Sequence, residues 1–175
     1  MLINLLSILS QDGKEERLQI PIEMDSFRSG KNKYAINKRE DLQVTLLNKG
    51  NKQIDLNGSV RLSLMIPCGR CLEPVEIPFD IDFEYEIDLK QTEEERKEAL
   101  DEMSWLSGLE IDVEQLVCNE ILLNWPIRVL CKEDCQGICS HCGVNLNKET
   151  CDCDTSELDP RMAAIKDIFS KFKEV

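Results

Sequence analysis

IDLNGSVRLSLMI, residues 54–66, and VEIPFDIDFEYEIDL, residues 75–89, decide the fold. Ile54, Leu56, Gly58, Val60, Leu62, Leu64 and Ile66 share one phase of the first run; Asp55, Asn57, Ser59, Arg61, Ser63 and Met65 occupy the other. In the second run Val75, Ile77, Phe79, Ile81, Phe83, Tyr85, Ile87 and Leu89 alternate with Glu76, Pro78, Asp80, Asp82, Glu84, Glu86 and Asp88. Period two sustained this long means a strand with one apolar and one wet face. Two such strands joined only by PCGRCLEP form an antiparallel pair. The expectation is an α+β protein: a twisted antiparallel sheet, able to curl toward a partial barrel, with a packed helix, a zinc-bound tail and a terminal amphipathic helix.

Upstream, Leu2–Leu9 and Arg17–Ile22 read as short strands around the turn Gln11-Asp12-Gly13. A third strand runs from Glu40 to Leu47, ending at the turn Asn48-Lys49-Gly50-Asn51. Downstream, residues 91–110 are acidic, a helix or loose excursion from which Trp105 and Leu106 return to the core. Asp112 caps a helix extending to residue 125. Val113, Leu116, Val117, Ile121 and Leu123 fall at helical spacing, Glu114 sits in the first turn and Pro126 lies just beyond the end. Cys118, alone within that helix, reads as a small buried hydrophobe. Residues 1–130 are thus expected to form a sheet domain with helix 112–125, and 131–175 a cysteine-rich tail. The tail closes with a helix capped at Asp159 and carrying the stripe Met162, Ile165, Ile168, Phe169 and Phe172.

The formal net charge is -13, and it is unevenly placed. Residues 1–53 carry 9 cations against 7 acids, residues 54–125 carry 5 against 18, and residues 126–175 carry 7 against 9. The wet face of the second long strand holds much of the excess, so it repels phosphate and discourages edge pairing; a basic protein could meet it. One all-basic island interrupts the acidity: RSGKNKYAINKR, with Arg28, Lys31, Lys33, Lys38 and Arg39 around Tyr34. It reads either as a solvated loop or as a phosphate-contacting loop with one aromatic for base stacking.

The opening residues show no basic n-region, and no stretch approaches the roughly 20 apolar residues that span a bilayer. That reading makes the protein cytoplasmic, in a reducing compartment where clustered cysteines bind metal more often than they form disulfides. Six of the nine cysteines lie in CKEDCQGICSHCGVNLNKETCDC, residues 131–153, a stretch too poor in large apolar side chains to build its own core. Cys139 and Cys142 form a knuckle half-site followed by Gly143; with Cys151 and Cys153 they make one tetrahedral zinc site. Cys131 and Cys135 remain, as do Cys68 and Cys71 at the tip between the long strands. Two plus two makes a second zinc site. The alternative is that Cys131 and Cys135 share the first site and leave Cys68 and Cys71 unliganded. Asn145 and Asn147 fit a turn that folds the last arm back.

The CxxC at Cys68 is followed by a strand, whereas a redox motif of thioredoxin type needs its first cysteine at a helix N-terminus. His141, the only histidine, reads as a bystander among thiolates. All-cysteine sites are closed and structural, and no catalytic motif or small-molecule site is visible, so no enzyme is expected.

CGRCLEP between long strands, then IDVEQLVCNEILLNWP, then DCQGICSHCGVNLNKETCDC and DPR, resembles the YceD family of large ribosomal RNA subunit accumulation proteins, in its cysteine-rich Gram-positive form. The resemblance covers nearly the whole chain in order. It implies a non-enzymatic ribosome-biogenesis factor supporting synthesis, processing or stability of large-subunit (23S) ribosomal RNA. RNA contact is then local, through Arg28 to Arg39 and a tail bearing Arg128, Lys132 and Lys148, or the partner is a basic ribosomal protein or assembly factor. The rival readings are a zinc-stabilised adaptor using the acidic strand face and a thiol redox protein.

Overall fold

The computed structural model describes residues 1–91, Glu95 and residues 103–153. The chain divides into two units, Met1–Pro67 with Pro74–Val129, and Cys68–Glu73 with Leu130–Val175. The first runs β1 (Leu2–Asn4), α1 (Leu6–Leu9), β2 (Glu15–Ile20), β3 (Ser26–Ser29), β4 (Asn32–Arg39), β5 (Leu42–Gly50), β6 (Gln53–Pro67), β7 (Pro74–Asp88), β8 (Leu106–Ser107), β9 (Glu110–Asp112) and α2 (Val113–Leu123). The helix expected after Asp159, and most of the acidic stretch that follows β7, lie outside the described residues.

β6 is the spine of the sheet. It pairs with β7 over its full length, from Gln53↔Asp88 to Pro67↔Pro74, without a register shift. Its other edge is shared by two strands: β5 along the first half, from Gly50↔Gln53 to Gln43↔Ser59, and β4 along the second, from Arg39↔Leu62 to Ile36↔Leu64. Both are antiparallel to β6, so β4 and β5 act as one long strand broken at Glu40–Asp41, where the Glu40 amide still reaches the Arg61 carbonyl at 2.9 Å. β2 adds to β5 and β3 to β4 outside them. The bulge between Ile36 and Lys38 bends the strand near this break. The sheet stays open; no pairing among the described residues closes it into a barrel. A second small sheet has the order β1-β9-β8.

Leu56, Val60, Leu64, Ile54 and Leu46 are fully or almost fully buried, as the alternation requires. α2 covers the core with Val113, Leu116, Val117 and Ile121, its first turn capped by Asp112 Oδ1 accepting from the amides of Glu114 and Gln115 at 3.0 and 3.2 Å. Trp105 and Leu106 do return to the core. Leu123 does not belong to the buried stripe; it is 69% exposed at the helix end.

Two local expectations need correction. Leu2–Leu9 is not one strand: after Asn4, whose Oδ1 accepts from the Leu6 amide at 2.9 Å, residues 6–9 form a helical turn. Burial of Leu5 and Ile8, three apart, fits that turn better than a strand. The basic island is not a loop but the β3–β4 hairpin, turning at Gly30 with φ 58°.

Asn48, 1% exposed, knits the sheet to the N-terminal segment. Its Nδ2 donates to the carbonyls of Ile8 (3.1 Å) and Gln11 (2.9 Å), and its Oδ1 accepts from the Gly50 amide at 2.8 Å. Asn48→Leu would strand these backbone groups, at a cost of about 2–3 kcal/mol, read as a lower urea midpoint with unchanged m-value.

Candidate metal centres and cationic hairpin

Cys68–Glu73, at the tip between β6 and β7, belongs with the tail rather than with the sheet unit. The tip is a tight knuckle. The Cys68 amide donates to the Glu73 carbonyl at 2.8 Å, the Leu72 amide to the Cys68 carbonyl at 3.0 Å, and the Arg70 amide points at Cys68 Sγ at 3.5 Å. Cys139–Gly143 repeats the device: the Gly143 amide donates to the Cys139 carbonyl at 2.9 Å and its φ is 76°. In the first knuckle Leu72 takes the glycine's place at φ 62°, a conformation strained for a side chain with a Cβ.

The structure brings together Cys68, Cys71, Cys131 and Cys135, and separately Cys139, Cys142, Cys151 and Cys153. Within each group the sulfurs lie within 4.8 Å of one another, an arrangement able to hold a metal ion. In the hairpin cluster Cys68 and Cys135 are 3.8 Å apart and Cys71 and Cys131 3.5 Å. Four thiolates about 2.3 Å from one tetrahedral ion would stand about 3.8 Å apart, so the donor set fits. These separations are far from the ~2.05 Å of a disulfide, and all nine cysteines are free. Cys118 takes no part; it lies beside Met24, and loss of hydration pushes its thiol up.

Backbone amides polarise both clusters. The amides of Cys71 and Arg70 hold Cys68 down to about 6, and those of Cys142 and His141 hold Cys139 down to about 6. Poor hydration and the neighbouring thiols push Cys131 up to about 12, and the Cys142 thiol foremost pushes Cys153 up to about 12. Against its poor hydration, Cys135 is also lowered by the Asn147 side chain and the Gly137 amide, while Cys71 and Cys151 are raised, so each cluster sets lowered thiols beside raised ones, as expected of sulfurs gathered for a shared positive charge. His141 contributes its amide, while its side chain is exposed and outside both sulfur clusters.

Sequence reasoning missed the groups that hold the hairpin cluster in place. The Arg70 guanidinium donates to the Cys135 carbonyl at 2.8 Å, and Asn147 Nδ2 donates to Cys135 Sγ at 3.4 Å. Lys148 and Asn145 both reach Glu73 Oε1, at 2.6 and 3.2 Å, and lower its carboxyl. Gly137, φ 79°, lets the Arg70 carbonyl approach to 3.2 Å of where a Cβ would stand. The turn signal at Asn145 and Asn147 was readable; the partner of Asn145 at Glu73, 72 residues upstream, was not.

The basic hairpin is built on a cross-strand pair of like charges. Arg28 stands directly opposite Lys33, with Lys31 in the turn. Like charges so placed repel, and all three are exposed with no ion pair among the described residues. Lys38 and Arg39 are engaged, Lys38 with Glu76 at 3.1 Å and Arg39 with Asp25 at 2.8 Å. On the other face Phe27 opposes Tyr34, whose ring lies 5.0 Å from that of Trp125, so Tyr34 packs on the core instead of offering itself to a base. The acidic face of β7 is partly neutralised, Asp80 by Arg61 and Glu86 by Lys49.

A family model described as large ribosomal RNA subunit accumulation protein YceD matches residues 56–169, from within β6 into the tail. The chain is 29% identical over 134 residues to a large ribosomal RNA subunit accumulation protein YCED homolog 1, chloroplastic, of Arabidopsis thaliana; the match covers 62% of this chain and 42% of that protein. It is 28% identical over 125 residues to uncharacterized proteins of Mycobacterium bovis and Mycobacterium tuberculosis, covering 71% of this chain and 58% of each. The chain thus spans about half the length of these relatives. No solved structure matches it significantly.

Proposed function

The chain belongs to the YceD family of large ribosomal RNA subunit accumulation proteins, and on that premise we propose that it is a non-enzymatic ribosome-biogenesis factor supporting synthesis, processing or stability of 23S ribosomal RNA. The observation that carries an RNA contact is the opposed pair Arg28 and Lys33 with Lys31 between them, a cationic face without acidic partners among the described residues of an otherwise acidic protein. Each phosphate contact needs such a cation to displace a counterion. With Tyr34 turned to the core, the contact is to the RNA backbone through Arg28, Lys31 and Lys33, with Lys38 and Arg39 at its border. No described helix is long and apolar enough to cross a membrane, and the proposed site of action is the cytoplasm.

Zinc is the ion we assign to the clusters, because eight thiolates in two sets of four match closed structural zinc sites. Bound zinc would supply cross-linking, not chemistry. Cys68, Cys71, Cys131 and Cys135 would hold one ion, and Cys139, Cys142, Cys151 and Cys153 the other.

The test is charge reversal. Arg28→Glu, Lys31→Glu and Lys33→Glu together are expected to abolish ribosomal RNA recovered by in-cell crosslinking and to lower 23S relative to 16S RNA. In vitro, each single substitution should weaken RNA binding and reduce the salt slope by about 1. A second reading, an adaptor for a basic ribosomal protein, draws on the exposed carboxylates Asp82 and Glu84, which have no ion pair among the described residues. Unchanged RNA recovery after charge reversal, with loss only on Asp82→Asn and Glu84→Gln, would replace the first reading by this one.

A further inference from the structure

The arm that connects the two halves of the tail cluster also carries the groups that brace the hairpin cluster. Residues 138–145 form a small antiparallel turn: Ile138 bridges to Asn145, the Cys139 amide donates to the Val144 carbonyl at 2.9 Å, and the Leu146 amide to the Gly137 carbonyl at 2.9 Å. Beyond it, Asn145 Oδ1 accepts from the Asn147 amide at 3.0 Å and from Asn147 Nδ2 at 2.8 Å. Asn147 Oδ1 accepts from the Gln136 amide at 2.9 Å, which orients the side chain so that Nδ2 faces Cys135 Sγ. From the same arm, Asn145 and Lys148 tie down Glu73, two residues past Cys71. The tip closes on the tail again where the Ile138 amide meets the Arg70 carbonyl at 3.2 Å.

We infer that Asn145 and Asn147 couple the two cysteine clusters, so that a metal ion in the tail cluster raises the affinity of the hairpin cluster for its own. The inference rests on the reading of both clusters as metal sites. An ion held by Cys139, Cys142, Cys151 and Cys153 pins both ends of the arm from Gly143 to Thr150. Ordering that arm places the Asn147 amide hydrogen on the Cys135 sulfur and the Asn145 amide on Glu73 before the second ion arrives. The hairpin cluster then binds without meeting that ordering cost itself. Asn147 is a positioning residue: it donates to a ligand sulfur and takes no place in the ligand set, the role in which outer-shell partners typically govern about 10- to 100-fold in metal affinity. Coupling of this kind is reciprocal, so the hairpin cluster strengthens the tail cluster by the same factor.

The experiment is titration of the metal-free full chain with Co2+, followed by thiolate-to-cobalt absorption and by competition with a chelator of known affinity. Wild type is expected to take up two ions. Cys142→Ser with Cys151→Ser, which removes the tail cluster, should leave one ion bound at the hairpin cluster about 10-fold or more weakly. Asn147→Ala in the intact chain should weaken the hairpin cluster by a similar factor while two ions still bind. In the Cys142→Ser Cys151→Ser background it should add little, since the arm is already released. Hairpin-cluster affinity unchanged by emptying the tail cluster would overturn the coupling and leave the metal reading standing. No cobalt taken up by wild type would overturn the metal reading itself.

Discussion

Stripping both ions from the purified protein is expected to unfold the tail unit and spare the sheet unit. Among the described residues 68–73 and 130–153, the buried hydrophobic side chains are Cys68, Cys71, Cys135 and Cys139; the aliphatic and aromatic core ends at Val129. A segment with no core of its own depends on its cross-links, and structural zinc supplies an apparent ~10–16 kcal/mol at neutral pH in small zinc modules. Treatment with a strong chelator should therefore open the chain to proteolysis beyond residue 130 while the fragment containing β1 to α2 persists with a cooperative melting transition. Zinc content should fall from two ions per chain to one on Cys71→Ser with Cys135→Ser. Serine variants of Cys68 and Cys71 that retain both ions would refute the pairing.

Acid should act in the same direction. Cys68 and Cys139, held down to about 6, are thiolates above that value and take up protons below it. Cys131 and Cys153, raised to about 12, must lose protons when an ion enters. The metal-free form therefore binds more protons than the loaded form, and affinity rises with pH. Affinity is expected to fall as pH falls, and more steeply below about 6 where Cys68 and Cys139 also take up protons, measurable as zinc passed to a colorimetric indicator across a pH series.

Gly58→Val is expected to be the most damaging single substitution in the sheet. Gly58 lies on β6 opposite Phe83 of β7 and Val44 of β5. A Cβ there would stand 2.4 Å from Phe83 Cζ, 2.7 Å from Cε2 and 2.9 Å from the Gln43 carbonyl oxygen. The phenyl ring, partly exposed, can swing aside; the carbonyl oxygen belongs to the ladder and cannot move without breaking it. Overpacking of this kind costs about 3 kcal/mol, which for a chain of this size lowers Tm by roughly 6–12 °C. Gly58→Ala should cost less, and adding Phe83→Leu should recover part of the loss, because the two sites share one contact. Wild-type thermal stability in Gly58→Val would mean that the ring and the ladder both yield.

How much was legible follows from how local each signal is. The β6–β7 pair could be read residue by residue because alternation fixes which face is buried and the short tip fixes the register. The α2 start was readable at Asp112, since a cap and the helix it begins are neighbours. Leu2–Leu9 misled because a leucine-rich run without alternation suits strand and helix alike, and burial of Leu5 and Ile8 decided it. The basic island was visible as charge, but its partition into Arg28, Lys31 and Lys33, without ion pairs among the described residues, and Lys38 and Arg39 with them required Glu76 and Asp25 to be in place.

By itself the sequence determined the two long strands, the cap and buried face of α2, the even count of cysteines in knuckle spacing, and a family resemblance that the comparison of residues 56–169 upholds. Tertiary structure alone decided that β4 and β5 divide one edge of β6, that Tyr34 turns to Trp125, and that Cys68 and Cys71 stand within 3.8 Å and 3.5 Å of Cys135 and Cys131. The physical reason is range. Alternation, capping and knuckle spacing act over a few residues, where backbone geometry translates pattern directly into structure. The contacts of Cys135 and Asn145 with the tip at Cys68–Glu73 exist only once a chain folded elsewhere has brought their backbones together.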